Sequence, residues 1–300
     1  MELSYNIPIP YGRNVEAVRE RSRRPSYVCR NGRATIMILQ RMVQMVQLQV
    51  GSCSTKVRGI LFDKDGTLLQ FISLWGWWAE TVMKGLQQEL KQEGGSLPED
   101  PGYILGVHIE PDGSIRSHDR QGPLAMGSPT QMISIATYLL YKEGVPWNRA
   151  VQRVTAVFEQ ANEQLLEHAN IIPVTGVVPF LELCRQHGLK MAVVTADDKG
   201  PSEQHLEKMG IRHYFDAVVG DDCVAQGKPY PDMVELACRE IGLEPHEIAV
   251  IGDSVGDMEM GHAAGSSLQI FIDEANQFET APESADVMIR SYEEIQLKDE

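Results

Sequence analysis

The sequence predicts an α/β protein: a Rossmann-like core built on a parallel sheet, interrupted by an inserted domain that is mainly α-helical. Two observations support this fold class. From Lys56 onward, short runs rich in aliphatic residues alternate with amphipathic stretches, as in parallel strands joined by crossover helices. More than a hundred residues separate the first run from the second, which is too many for one crossover helix and indicates an insertion.

The predicted strands lie on both sides of the insertion. They cover residues 59–62, 190–195, 217–219, 249–251, 268–272 and, with a weaker pattern, 287–289. Within the insertion, helices are predicted over 75–91, 129–141 and 146–168, the last two opened by prolines at first-turn positions. The glycine-rich segment 102–127 contains Pro-Asp-Gly, which favours a small hairpin or loop over a helix.

These elements divide the chain into three parts. The core comprises residues 56–72 and 170–300, the helical insertion 73–169, and an N-terminal extension 1–55. The extension is Arg-rich and then apolar, interrupted by Arg41 and several glutamines. It is either an arm for nucleic acid or a membrane surface, or a disordered or loosely helical segment upstream of a start at Met37, Met42 or Met45. We favour the second interpretation and expect removal of residues 1–50 to change little.

Composition narrows the class of protein. Apolar residues make up 43% and charged residues 23%, as in ordinary globular proteins. The net charge is −15, although residues 1–58 alone carry ten Lys and Arg against three Asp and Glu. The acidic remainder argues against nucleic-acid binding and suits divalent cations. No apolar run reaches the ~18 residues of a membrane span, so no membrane partner is expected.

Cysteine usage indicates the compartment. The five cysteines are odd in number and form no CxxC pair, which suits the reducing cytoplasm better than a disulfide framework. We therefore expect a cytoplasmic protein, with the choice between monomer and homodimer left open.

Polar side chains follow the predicted strands, at the edge where the carboxyl ends of parallel strands converge. They are Asp63 and Asp65 after the first strand, Thr195 after the second, Lys228 after the third, and Asp253 and Asp257 after the fourth. Asp and Gly at such a junction are also ordinary turn residues. However, carboxylates gathered at one edge repel one another unless a cation lies between them.

A hard cation and a phosphate would make this constellation chemically reasonable. Mg²⁺ prefers carboxylate, water and phosphate oxygens as ligands. Thr195 and Lys228 then donate to a phosphoryl group, and Asp63 stays ionised as a nucleophile. Asp65 is placed to protonate a leaving alcohol and then to deprotonate water.

Four sequence segments resemble the signature motifs of the haloacid dehalogenase superfamily. They are "DKDGTL", the threonine of "VVTADD", the lysine of "GKPYPD" and "GDSVGD", which occur in order over residues 56–290. The resemblance implies the haloacid dehalogenase fold. It also implies that Asp63 forms an aspartyl-phosphate and that Asp65 is the general acid/base. It also implies phosphate binding by Thr195, Lys228, Ala196 and Gly66. Mg²⁺ would be held by Asp63, the backbone carbonyl of Asp65, Asp253 and Asp257.

The second acid distinguishes reactions within this superfamily. Dehalogenase members lack an Asp at the position of Asp65, because a halide leaves without a proton. Its presence favours phosphoester hydrolysis, and the helical insertion is similar to the cap of the phosphoglycolate phosphatase-like branch. We therefore expect a Mg²⁺-dependent phosphatase for a small phosphorylated metabolite, with 2-phosphoglycolate favoured. A sugar phosphomutase and a non-catalytic sensor of phosphoesters are the alternatives.

Several other side chains have both a functional and a structural interpretation. Arg116, His118 and Arg120 either contact an anionic group of the substrate or belong to a solvated loop, which we favour. Trp75 and Trp78 share a helix face and are expected to pack within the insertion. The histidines show no metal-ligand spacing, and His205, His213 and His246 are expected at the surface.

Overall fold

A computed structural model describes residues 45–299 of the chain. Its strands are β1 (Val46–Val50), β2 (Cys53–Val57), β3 (Gly59–Phe62), β4 (Val107–Ile109), β5 (Ile115–His118), β6 (Lys190–Val194), β7 (Ala217–Val219), β8 (Ile248–Gly252), β9 (Leu268–Ile272), β10 (Val287–Ile289) and β11 (Ile295–Lys298). Its α-helices are α1 (Phe71–Gln92), α2 (Pro123–Met126), α3 (Pro129–Lys142), α4 (Trp147–His168), α5 (Val177–Gln186), α6 (Lys199–Lys208), α7 (Asp232–Ile241) and α8 (Val255–Ala264).

Six strands form the parallel sheet of the core, in the order β10, β9, β8, β3, β6, β7. All six predicted strands are therefore confirmed, with ends that differ by at most one residue. Strands β3, β8 and β9 are buried along their whole length, which explains their continuous apolar sequences. From β3 the chain first adds β6 and β7 on one side and later β8, β9 and β10 on the other. The switch point of the sheet therefore lies beside β3, where ligands bind in open α/β sheets.

The insertion forms its own apolar core from helices α1, α3 and α4. Its buried side chains run from Leu69 to Ala169 and include Trp78 and Phe158, whereas two other clusters fill the two faces of the parallel sheet. The three predicted helices are present, and segment 102–127 contains the hairpin of β4 and β5. This separation of apolar cores supports the proposed division into a core and a helical cap.

The prediction for residues 46–55 is wrong, because they belong to the folded core. Strand β1 is the middle strand of a three-stranded antiparallel sheet, paired with β2 on one side and β11 on the other. Its side chains alternate, with Val46, Leu48 and Val50 buried in the core and the two glutamines partly exposed. The part of the predicted extension before residue 45 lies outside the described residues.

Two further sequence features concern thiols and membranes. Cys53, Cys184, Cys223 and Cys238 are free thiols, and Cys29 lies outside the described residues. Burial raises the pKa of the Cys184 and Cys238 thiols, so both stay protonated near neutral pH.

No helix in the described part of the chain is long and apolar enough to cross a membrane.

Candidate active site

Three neighbouring strands of the parallel sheet end in polar side chains at one rim. Asp63 follows β3, Thr195 follows β6, and Asp253 follows β8. Because β3 is paired with β6 on one side and β8 on the other, the three residues lie next to one another. All three are buried, and all three line one cavity.

A cluster of three buried carboxylates forms the centre of this rim. Asp63, Asp253 and Asp257 each offer an oxygen, and these atoms all lie within 4.8 Å of one another. Two glycines allow the close packing: a Cβ at Gly66, where φ is +86°, would collide with the Asp253 carboxylate, and a Cβ at Gly252 would collide with Asp257. Gly66 therefore serves the site by leaving room for a carboxylate.

The start of helix α8 fixes the position of Asp257. The Ser254 hydroxyl accepts a hydrogen bond from the Asp257 backbone N–H, and Asp257 Oδ2 accepts from the Ser254 N–H at 3.1 Å and from its hydroxyl at 2.6 Å. This is a capping box with an aspartate in place of the usual glutamate. The remaining oxygen, Oδ1, faces Lys228 at 2.6 Å.

Lys228 connects two of the three carboxylates. Its Nζ lies 2.5 Å from Asp63 Oδ1 as well as 2.6 Å from Asp257 Oδ1, and its side chain is only 9% exposed. Burial alone would lower the pKa of the ammonium group, but the carboxylates of Asp257 and Asp63 together outweigh burial and raise that pKa. Lys228 is therefore a permanent cation beside Asp63.

One lysine does not balance the charge of the cluster. Burial raises the pKa of Asp63 to about 7; Lys228 opposes this rise, whereas Asp257 and Asp65 add to it. Burial and the charge of Asp63 also raise the pKa of Asp253 well above its ordinary range. Among the described residues, Lys228 is the one basic side chain that forms an ion pair with any of the three carboxylates, and it pairs with two of them, Asp63 and Asp257. The excess of buried oxygen ligands fits a divalent cation such as Mg²⁺.

Asp65 has different surroundings from Asp63. It lines the same cavity, but its side chain is not part of the carboxylate cluster. Asp65 Oδ1 accepts a hydrogen bond of 2.6 Å from the Trp75 indole N–H, and Lys64 Nζ lies 2.8 Å from Oδ2. Trp75 belongs to α1, so the helical insertion directly contacts the second acid. Trp75 packs within the insertion, as predicted, but it also forms a hydrogen bond with Asp65, which the prediction did not include.

The sequence interpretation missed a buried lysine network behind Asp65. Lys64 is fully buried, and its ammonium group contacts Asp65, Asp197 at 3.2 Å and His205 Nδ1 at 3.2 Å. The prediction of a surface position for His205 is wrong, because only 2% of this residue is exposed. Burial, and then the charge of Lys64, lower the pKa of His205 to about 3, so the ring is neutral. No spacing pattern connects Lys64 and His205, which are 141 positions apart.

The predicted phosphate-binding residues divide into two groups. Thr195, Ala196 and Lys228 line the cavity beside Asp63, and the Thr195 hydroxyl accepts a hydrogen bond from the Asp197 N–H at 3.2 Å. The hydroxyl proton of Thr195 therefore remains available for a ligand. Gly66 is not among the residues that line this cavity, and its N–H donates to the Leu69 carbonyl at 2.7 Å. The Gly66 N–H is therefore not free to donate a hydrogen bond to a phosphate, which was its predicted role.

The basic residues of the hairpin segment line a separate depression next to Asp253. Arg120 contacts the Asp253 carbonyl at 3.3 Å and Asp273 Oδ1 at 3.4 Å. Arg116 is largely exposed, and its closest carboxylate is Asp112 at 3.9 Å. The His118 ring stacks on Phe71 with centroids 3.9 Å apart, and burial lowers its pKa to about 4. None of the three lines the cavity that contains Asp63.

Known proteins that resemble this chain include hydrolases and phosphatases. A family model for haloacid dehalogenase-like hydrolases matches residues 57–265. The fructose-1-phosphate phosphatase YqaB from Escherichia coli strain K12 is 32% identical over 69% of this chain and 92% of its own length. A phosphoglycolate phosphatase from Chromobacterium violaceum is 24% identical over 70% of this chain and 82% of its own.

The fold has also been observed experimentally in another protein. The crystal structure of a predicted phosphoglycolate phosphatase from Haemophilus somnus 129pt superimposes with a TM-score of 0.54 and 21% identity, over 72% of this chain and 85% of the other. The family model covers more than half of the chain, and YqaB is similar over most of its length. The chain therefore belongs to the haloacid dehalogenase-like hydrolase family, as a phosphomonoester hydrolase.

Proposed function

We propose that this protein is a Mg²⁺-dependent phosphatase that hydrolyses a small phosphorylated metabolite through an aspartyl-phosphate on Asp63. The observation that carries this proposal is the pair of acids in one cavity with different partners. Asp63 lies against Lys228 and two other carboxylates, whereas Asp65 lies against Lys64 and the Trp75 indole. Different surroundings allow two carboxylates to perform different proton and electron-pair chemistry.

The cavity supplies each step of such a reaction from its own side chains. Asp63 attacks the phosphorus atom and forms the acyl phosphate, while Asp65 gives its proton to the leaving alkoxide. Asp65, now ionised, takes a proton from the water that attacks the acyl phosphate, which releases inorganic phosphate and restores Asp63. Thr195 donates its hydroxyl proton to a phosphoryl oxygen. Lys228 offsets the negative charge that develops on the phosphoryl group.

The carboxylate cluster would hold the cation. Asp63, Asp253 and Asp257 provide its side-chain ligands, and the resemblance adds the backbone carbonyl of Asp65. Bound there, Mg²⁺ would supply positive charge near the phosphoryl oxygens and so reduce their repulsion of an attacking carboxylate. The raised pKa values of Asp63 and Asp253 support this assignment, because burial first and the neighbouring carboxylates second disfavour the ionised forms, and a bound cation would offset both effects.

Two relatives inform the choice of substrate. YqaB is named for fructose 1-phosphate and the Chromobacterium violaceum protein for phosphoglycolate, both of them small phosphomonoesters. We therefore propose a substrate of that size, in the cytoplasm, where free thiols such as Cys223 persist. The sequence-based choice of 2-phosphoglycolate is one member of this class.

A screen of phosphorylated metabolites tests the proposal. Release of inorganic phosphate is measured for several dozen compounds, including 2-phosphoglycolate and hexose phosphates, in Mg²⁺ and in EDTA. We expect release in Mg²⁺, loss of release in EDTA, and no release by the Asp63→Asn variant. Conversion of a sugar phosphate without phosphate release would instead indicate a mutase. Tight binding without turnover would indicate a sensor.

A further inference from the structure

A second cleft adjoins the cavity of the active site. It has a volume of about 480 Å³ and lies between α1, α3 and α4 of the insertion and α6 of the core. The two share Trp75, Pro129, Met132 and Asp197 among their lining residues. A substrate whose phosphoryl group lies at Asp63 can therefore extend past Trp75 into this cleft.

The position of Asp65 indicates that the leaving group takes this direction. A general acid must lie within hydrogen-bond reach of the oxygen it protonates. The side chain of Asp65 contacts Trp75, which lines the cleft, and Lys64, whose other partners Asp197 and His205 also line it. The basic residues Arg116 and Arg120 line a different depression, next to Gly66 and Glu274.

One wall of the cleft is aromatic. The rings of Trp75 and Trp78 meet edge to face with centroids 5.5 Å apart, and Trp78 meets Phe158 in the same way at 5.1 Å. The Trp78 N–H donates to Asn162 Oδ1 at 2.6 Å, which fixes the ring. Such a wall provides apolar surface for the body of a ligand at little cost in side-chain entropy.

The other lining side chains give the cleft a negative charge. Glu159, Glu163, Asp197 and Asp198 line it, and its described lining includes no lysine or arginine. Asp197 is paired with the buried Lys64. No ion pair with a described residue is formed by Glu159, Glu163 or Asp198. A carboxylate on the leaving group would therefore meet three like charges and no partner.

We propose that this cleft binds the leaving group of the substrate and selects alcohols with an apolar body and a positive or zero charge. The inference rests on the proposed phosphatase activity and specifies its substrate class. It disfavours 2-phosphoglycolate, whose leaving alcohol bears a carboxylate. Phosphomonoesters of amino alcohols with an aromatic or aliphatic body fit both the wall and the charge.

Three benzyl phosphates with 4-aminomethyl, 4-methyl or 4-carboxy groups test this selection. Their alcohols have similar pKa values because the substituents are remote from the reacting oxygen. We expect kcat/KM in Mg²⁺ to decrease in that order, with about a tenfold difference between the cationic and anionic compounds, a size typical of a few partly exposed charge pairs. In Glu159→Gln/Glu163→Gln that ratio should fall to about twofold. Glu167→Gln is a matched control on the same helix, outside the cleft, and should keep the wild-type ratio.

The outcomes separate the two proposals. Hydrolysis of the 4-methyl compound that disappears in Asp63→Asn shows that the phosphatase proposal holds. If the wild-type ratio is then near one, or favours the carboxylate, the inference about the cleft is overturned. A ratio unaffected by the double glutamine variant would overturn it too. If none of the three compounds is hydrolysed while other esters in the metabolite screen release phosphate, the inference about the cleft is overturned and the phosphatase proposal stands.

Discussion

Asp63 and Asp65 are two residues apart, yet their side chains belong to different networks. Lys228 and two carboxylates surround the first, whereas Lys64 and Trp75 hold the second. The buried Lys64 keeps its charge, because Asp65 and Asp197 outweigh the effect of burial and raise its pKa. The two acids therefore differ in their neighbours, and the proposed mechanism assigns them different roles.

Trp75→Phe tests whether the indole N–H positions Asp65. The substitution keeps an aromatic ring but removes the 2.6 Å hydrogen bond to Asp65 Oδ1. If that bond orients the general acid, kcat for alkyl phosphates should fall about tenfold, a fraction of the full effect of an acid catalyst. Hydrolysis of 4-nitrophenyl phosphate should change much less, because its leaving group departs without a proton. Equal losses on both esters would mean that Trp75 acts only in packing or binding.

The residues of the site were predictable to the extent that they follow strands. Asp63, Thr195 and Asp253 each follow a strand of a parallel sheet, and the carboxyl ends of parallel strands lie at the same rim. The contacts of Lys64 with His205 and of Asp65 with Trp75 depend on how helices pack, which no local pattern records. Tertiary packing therefore decides which acid receives which partner.

At the scale of elements, β1 shows how a strand can escape detection. Its sequence Val-Gln-Leu-Gln-Val alternates strictly, as expected for a strand with one buried face. The glutamines nevertheless suggested an interrupted apolar segment within a disordered or loosely helical extension. The two-residue link Gly51-Ser52 is a hairpin signal for the pairing with β2 that was overlooked, whereas the other partner, β11, lies nearly 250 positions away.

Leu48→Ala tests the placement of β1 in the core. Leu48 is fully buried among the apolar side chains of the core, so truncation should lower the free energy of unfolding by roughly 2–5 kcal/mol. Gln49→Ala, one position along on the outer face, should cost less than about 1 kcal/mol. Urea unfolding of both variants measures the difference. Similar stabilities would mean that β1 is not part of the core, and deletion of residues 1–50 would then be harmless, as the sequence analysis expected.

At the scale of the whole molecule, burial and the mutual repulsion of the carboxylates disfavour ionised Asp63 in the metal-free fold, and a bound cation would offset both effects. The pKa of Asp63 is about 7 in the fold against an ordinary value of 3.8, so between these pH values the metal-free folded protein binds more protons than the unfolded chain. The contribution of Asp63 to stability is therefore full below pH 3.8 and is lost as the pH rises through 7.

Magnesium should reverse this loss. Because the cation competes with the proton on Asp63, we expect Mg²⁺ to raise the melting temperature more at pH 8 than at pH 5.5. Differential scanning fluorimetry in Mg²⁺ and in EDTA at both pH values measures the shifts. An equal shift at the two pH values would contradict the assignment of Asp63 as a ligand.

Asp253→Asn should change the stability of the metal-free protein and its activity in opposite directions. The substitution removes one of the repelling charges, so the metal-free variant should melt at a higher temperature than the wild type at pH 8. It also removes a ligand, so the stabilisation by Mg²⁺ and the phosphatase activity should both be lost. A variant that melts lower than the wild type in EDTA would show that Asp253 is held by favourable contacts.

The central claim is that Asp63 attacks phosphorus and Asp65 transfers the proton. The most direct test compares kcat/KM for Asp63→Asn and Asp65→Asn on phosphate esters whose leaving alcohols span a wide range of pKa. Asp63→Asn should lose activity on every ester and form no phosphoenzyme, because every substrate needs the attack. Asp65→Asn should lose about 10²–10⁴-fold on alkyl phosphates and far less on 4-nitrophenyl phosphate. If both variants lost activity equally on all esters, the two acids would not have the separate roles assigned to them.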